Sequence, residues 1–349
     1  MTHFDDPFSL NNLPEQISVS DPSLRLTLLH HCVDLLRQLT HPSPQDPPSQ
    51  STESLQEESA SSSGISDSTP VTHPAIVCDY GDEASLDQAR MEALEVFDSR
   101  RLDVNRYVVL WMDRLHVWGH PLLLCIGATE DGYRHFLNFE EAPALDIDAI
   151  QRFLCALLER GLCTESGLLC ITSGDLHLSQ RITELLHPMG IQHCQHHKRE
   201  QVLSHLGETD SARIKGAMMR AYSLPIYGEA HTALMQVHAD LLECNSSAAQ
   251  CFEEDLEHTL TVVRTGHMDK LSRSLRSTRC LIRVAEHLNH RLKEIRCWLP
   301  PVRRRAQIAL LCLENELHMR RLDHASELPA LRTTLRSKQL DPSKLESDG

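Results

Sequence analysis

The apolar positions along this chain change period several times, and each change marks a different kind of element. Residues 22–40 place Leu24, Leu26, Leu28, Leu29, Cys32, Leu35, Leu36 and Leu39 roughly along one helical stripe. Asp21 is expected as N-cap, with Pro22 at the first helical position. Residues 41–74 are Ser, Pro, Gln, Thr and Glu with almost no large apolar side chain. That composition buries too little surface to offset the entropy of ordering, so a disordered linker is expected. Helical spacing resumes over 83–99.

Beyond residue 106 the period shortens. Tyr107-Val108-Val109-Leu110-Trp111-Met112 is a nearly continuous apolar run of the kind a buried central strand needs, and it ends at Asp113. Leu122–Ala128 follows, and after the turn Glu130-Asp131-Gly132 comes Tyr133–Phe139; these three runs predict an antiparallel meander. A helix is expected at about 146–161, a buried strand at Gly167–Thr172, a helix at about 176–187 and a short strand at Ile191–Cys194. From about 196 to about 336 every periodic segment reads as helix.

This order predicts an α/β fold: a ribonuclease-H-like mixed sheet with a large α-helical insertion and C-terminal helices. The expected divisions are an acidic Ser/Pro-rich segment at 1–75, a first part of the core at 76–195, the helical insertion at 196–265, a basic helical part of the core at 266–335, and a disordered tail at 336–349.

Composition sharpens the picture in three places. Hydrophobic residues make up 41% of the chain but aromatics only 4%, so the core is expected to be aliphatic. The net charge of −15 would argue against a polyanion as partner if it were evenly spread. It is not: residues 1–100 hold 17 Asp and Glu against 4 Lys and Arg, whereas residues 261–305 hold 12 Lys and Arg against 3 Asp and Glu. An acidic N-terminal segment beside an anion-binding face is the reading this supports.

The 12 cysteines are scattered through apparent core segments behind a polar, acidic start, MTHFDDPFSL. Reduced thiols in a cytoplasmic protein without a signal peptide are therefore expected. No apolar run approaches the roughly 18 residues of a membrane span, so no membrane partner is expected.

A fold of this kind performs phosphoryl transfer with Mg²⁺ held by about three acids. Asp113, at the end of the first strand, fits the first of these as a metal ligand. The second should fall just after Leu168–Ile171, where the chain reads Thr172-Ser173-Gly174-Asp175. The third belongs in the basic segment.

Several stretches then resemble one family, the Mutator-type transposases of bacterial insertion sequences. Val109–Val117 (VLWMDRLHV) resembles its first-strand motif, with Arg114 where the family has Gly. Ile126-Gly127 followed by Glu130-Asp131-Gly132 matches its second strand and turn, and Leu157–Leu162 its helix end. Cys194-Gln195-His196-His197 resembles its Cys-x-x-His signature. Leu256–Thr261 and Ser274–Thr278 resemble the run toward its third acid, with Trp298 at the family's Trp and Glu327–Leu331 near its end.

The resemblance implies a DNA transposase that hydrolyses a phosphodiester at an element end and then joins the freed 3′-hydroxyl to target DNA. Its partners would be double-stranded DNA and a homo-oligomer on that DNA, with no small-molecule substrate.

Carried over residue by residue, the triad is incomplete. Asp113 matches the first acid. Without gaps, the family's second acid falls on Ser173, and Asp175 serves only if the loop slips by two residues, roughly 6–7 Å of extended chain. In the register set by Trp298 the third acid falls on Ile282. Glu286 lies one helical turn further along the same face. The expected catalytic set is therefore Asp113, Asp175 and Glu286, in an impaired enzyme or in an inactive relic that binds DNA or the active enzyme.

Arg273, Arg276, Arg279 and Arg283, at spacings of 3, 3 and 4, are expected near one helix face, with Arg296 beyond them, as phosphate-binding cations. Cys194 and His197 have the spacing of half a zinc site, but no clear second pair exists, so a structural thiol and a packed histidine are expected.

Overall fold

The computed structural model describes residues 83–142, 146–165, 167–266, 271–293 and 299–337. The helix expected at 22–40, the linker, Arg296, Trp298 and the C-terminal tail lie outside the described residues. The chain divides into two compact units, Met1–Ala89 and Arg90–Gly349. Nearly all described residues belong to the second.

After helix α1 (Glu83–Ser99), the chain forms β1 (Tyr107–Val117), β2 (His120–Thr129) and β3 (Arg134–Glu141). These strands are the expected meander. They are antiparallel, with Asp113 opposite Leu124. Helix α2 (Ile147–Glu159), β4 (Leu169–Thr172), α3 (Leu176–Leu186) and β5 (Gly190–His193) follow. β4 pairs parallel with β1, and β5 parallel with β4, giving one mixed five-stranded sheet in the order β3-β2-β1-β4-β5.

The apolar run of β1 is buried on both faces because β1 is the central strand. Its even-numbered residues Leu110 and Met112 share a core with Phe153, Leu154 and Leu157 of α2 and with Leu178, Ile182 and Leu186 of α3. Alternation along the strand then sends Val109, Trp111 and Asp113 to the opposite face. Local sequence fixes where α2 begins and ends. The Asp146 carboxylate accepts the Ala149 N–H as N-cap, and Gly161, at φ +87, follows the last turn.

The rest of the chain is helical: α4 (Gln195–Leu203), α5 (Glu208–Ser223), α6 (Tyr227–Cys244), α7 (Ser246–Glu253), a 3-10 turn (Leu256–Leu260) and α8 (Thr261–Arg264). Apolar residues from Val202 to Val263 form a separate core for this segment. Its final turn seals the outer edge of β5. The Gln192 side chain donates to the Thr259 carbonyl and accepts the Val262 N–H, while the Thr261 hydroxyl donates to the Ile191 carbonyl.

The chain then continues through α9 (Ser272–Leu275), α10 (Arg279–Leu292), α11 (Pro301–His318), a 3-10 turn (Ala325–Glu327) and α12 (Leu328–Ser337). α10 runs beside β1. The Asn289 amide accepts from the Trp118 N–H at 2.6 Å and donates to the His116 carbonyl at 2.8 Å. α11 packs against β3, with Glu316 accepting from Arg100 and from the Phe136 N–H.

Candidate functional site

Three breaks in regular structure meet around Asp113. The first is the end of the parallel ladder, which runs only to the Met112–Thr172 pair, so Asp113 is the first β1 residue without a β4 neighbour. The second is the start of α4, where Cys194 donates its N–H to the Thr172 carbonyl. The third is the turn between α9 and α10, pinned to α4 by the Gln195 N–H on the Arg276 carbonyl.

The Asp113 side chain is only 2% exposed, yet both of its oxygens are occupied. Oδ1 accepts the Arg114 N–H at 2.8 Å. Oδ2 accepts the Thr278 hydroxyl at 2.7 Å, and His197 Nδ1 stands 3.7 Å from the same oxygen. Ser173, in the loop after β4, also helps to hold the carboxylate in its charged form. Thr278 is fully buried and joins the group together, its N–H on Cys194 Sγ at 3.3 Å and its hydroxyl 3.3 Å from His197 Nδ1.

Electrostatics follow from this packing. Burial pushes the Asp113 carboxyl above its ordinary value, although the nearby His197 and the bonds from Thr278, Ser173 and Arg114 oppose it. The bond to Cys194 raises His197 against its own burial, and Asp113 adds to the rise. Burial would push the Cys194 thiol up, but the His197 bond and charge, with the His197 and Thr278 amides, leave it below the ordinary thiol value. The site is thus one carboxylate, one thiol and one imidazole tied together by hydroxyls. It can hold and share protons.

The other expected acids are not part of this group. Asp175 caps α3, its Oδ1 accepting the Leu178 N–H at 2.9 Å. Ser173, to which the gapless register assigns the second acid, is the loop residue that works against the rise of the Asp113 carboxyl. Glu286 is exposed on α10, eight residues beyond Thr278, a rise of about 12 Å along the helix. Ile282 lies only one turn beyond Thr278.

The expected arginine stripe on one helix face is corrected by the break at Arg276–Thr278. Arg273 sits on α9, Arg276 in the turn, and Arg279 and Arg283 on α10. Thr278 is drawn inward to Asp113, and this interrupts the helix. Arg273, Arg279 and Arg283 are exposed, whereas half-buried Arg276 donates to the Tyr222 carbonyl.

Spacing marked Cys194 and His197, and Thr278 lay in a motif, but nothing local in the sequence indicated that all three close on Asp113. They come from segments more than 80 residues apart, as the 81 residues between Thr278 and His197 illustrate. The expectation of reduced thiols agrees with the structure: every cysteine among the described residues is free. No helix among the described residues is long and apolar enough to cross a membrane.

A mixed sheet with a buried acid on its central strand, flanked by late helices, defines an α/β protein whose candidate site is built on β1. The particular family follows from the sequence: the model described as Transposase, Mutator family matches residues 84–318, and the chain belongs to that family. No curated protein matches it.

Proposed function

We propose that this chain is a transposase-like protein of ribonuclease-H-like architecture that engages double-stranded DNA, as a homo-oligomer, but does not cleave it by Mg²⁺-dependent phosphoryl transfer. Family membership supports DNA as the partner. The strand order, with a parallel β1–β4 pair at the centre, supports the architecture.

One observation carries the loss of cleavage: the Asp113 carboxylate is held by the Arg114 N–H and the Thr278 hydroxyl, with no acidic side chain among its hydrogen-bond partners in the described residues. Mg²⁺ takes oxygen donors at about 2.1 Å in octahedral geometry and is usually held by carboxylates. Two donors of one such ion stand no more than about 4 Å apart. The groups that meet the Asp113 carboxylate are a backbone N–H, the Thr278 hydroxyl and the His197 imidazole, a set that does not fit Mg²⁺. Ser173 and Ile282, the positions to which the gapless register assigns the second and third acids, are not acidic.

What this chain's own residues retain is a buried, hydrogen-bonded junction between β1, α4 and α10, with Arg279 and Arg283 exposed on α10. The test is a strand-cleavage assay on Mutator-element ends with Mg²⁺ or Mn²⁺, comparing the native chain with the double variant S173D/I282E. The expected result is no cleavage by the native chain. Cleavage by the native chain that Asp113→Ala abolishes would overturn the proposal.

A further inference from the structure

Away from Asp113, on the far side of β5, three side chains converge that the transposase reading does not use. His193 is the last residue of β5. Asp255 and His258 belong to the turn that follows α7. Their nitrogen and carboxylate oxygen atoms all lie within 4.8 Å of one another. His193 Nδ1 is 3.9 Å from Asp255 Oδ2, His258 Nδ1 is 3.8 Å from Asp255 Oδ1, and the two imidazoles stack at 4.7 Å.

A second, independent feature points to a ligand there. His193 is 3% exposed, and its Nδ1 is a buried polar atom with no hydrogen-bond partner. Such an atom ordinarily finds a partner. The other ring nitrogen explains which atom is free to coordinate. His193 Nε2 is 3.1 Å from Ser179 Oγ, which is in turn 3.3 Å from Thr172 Oγ1. With the proton on Nε2, donating to Ser179, Nδ1 carries a bare lone pair and no buried N–H of this ring is left unpaired. A hydroxyl or carbonyl behind a histidine is how a metal-binding imidazole is oriented.

The turn that carries the other two ligands is already fixed. Gln192 and Gln195 both donate to the Thr259 carbonyl, at 2.7 and 2.8 Å. Asp255 holds a left-handed backbone at φ 56 that turns the chain out of α7.

We infer that His193, Asp255 and His258 form a binding site for a divalent transition-metal ion of the zinc class. Two imidazoles and one carboxylate are a donor set of three-ligand zinc sites, whose fourth position stays open. Tetrahedral coordination at about 2.0–2.1 Å brings ligand atoms to about 3.4 Å of one another, a closure of between about 0.4 and about 1.4 Å from separations of 3.8 to 4.8 Å. Asp255 also lines a cavity of about 670 Å³, together with Gly174, Lys198, Gln201, Cys251 and Glu254. Bound there, the ion ties the end of β5 to the end of α7 and closes the helical segment between them at its base. Clips across long loops are the ones that gain most from chain entropy.

The experiment uses the full chain, stripped with a chelator and titrated with ZnCl₂ by calorimetry in excess Mg²⁺, with bound zinc counted after gel filtration. Asp255→Asn keeps the left-handed position, His258→Gln is conservative, and Cys194→Ser tests the other cysteine–histidine pair. The expected result is a saturable zinc that Cys194→Ser retains and that each of the other two variants weakens at least tenfold. Ser179→Ala, which touches no metal, weakens it about 10- to 100-fold by releasing the His193 ring. Circular dichroism confirms that the variants fold. If one does not, the Ser179→Ala result decides. No saturable zinc, zinc unaffected by Asp255→Asn and His258→Gln, or zinc lost only in Cys194→Ser overturns the inference.

Discussion

Replacing Thr278 with valine keeps the shape of a fully buried side chain and removes one hydroxyl. That hydroxyl donates to Asp113 Oδ2 at 2.7 Å, and the carboxylate it serves is itself 2% exposed, so water cannot take its place. A hydrogen bond to a buried charged group contributes about 1.5–3 kcal/mol. Thr278→Val is therefore expected to cost about 2 kcal/mol, a fall in Tm of about 4–8 °C for a protein of this size.

The same loss should shrink when the charge is gone. In Asp113→Asn the amide can donate to the Thr278 oxygen while the hydroxyl turns toward His197 Nδ1, 3.3 Å away. Valine then removes only a neutral bond, at about 1 kcal/mol. Urea unfolding of the two single variants and the double variant measures this coupling. Equal cost of Thr278→Val in both backgrounds, or no cost in either, would refute the reasoning that Thr278 serves a buried charge.

Other consequences follow from the same coordinates. Because burial raises Asp113, the folded state keeps a proton that the unfolded chain has lost, so its contribution to stability falls as pH rises from the ordinary carboxylate value through the raised one. Asp113→Asn should remove that fall from the pH profile of Tm. Gly132→Ala should destabilise by about 2 kcal/mol or more, since Gly132 has φ +83 and an added Cβ would lie 2.3 Å from the Ala325 Cβ; thermal unfolding reads this directly. Arg279→Ala with Arg283→Ala should weaken DNA binding and lower the salt slope by about two, read by fluorescence anisotropy across a salt series. Arg276→Ala should instead lower stability, because Arg276 holds the Tyr222 carbonyl.

The sheet was legible in the sequence because each strand carries its own signal. The β1 run is apolar throughout, the Glu130-Asp131-Gly132 turn punctuates the meander, and Asp146 and Gly161 bracket α2. The start of α3 was legible too, since a helix is expected from about 176 and Asp175 caps it. The interruption at Arg276–Thr278 was not. Arginines at spacings of 3, 3 and 4 read as a continuous helix, and only the tertiary bond from Thr278 to Asp113 explains why the helix restarts at Arg279. The His193, Asp255 and His258 group was equally hidden, because its ligands are brought together by the edge of β5 and have no common spacing along the chain.

The central claim is that Asp113 is a structural carboxylate rather than a metal ligand in a working nuclease. Its most direct test is a cleavage time course on DNA carrying Mutator-element ends, run with Mg²⁺ and with Mn²⁺, the native chain beside Asp113→Ala. The account predicts no nicked or joined product from either protein at DNA-binding concentrations. Product from the native chain that requires the metal and disappears in Asp113→Ala would contradict it.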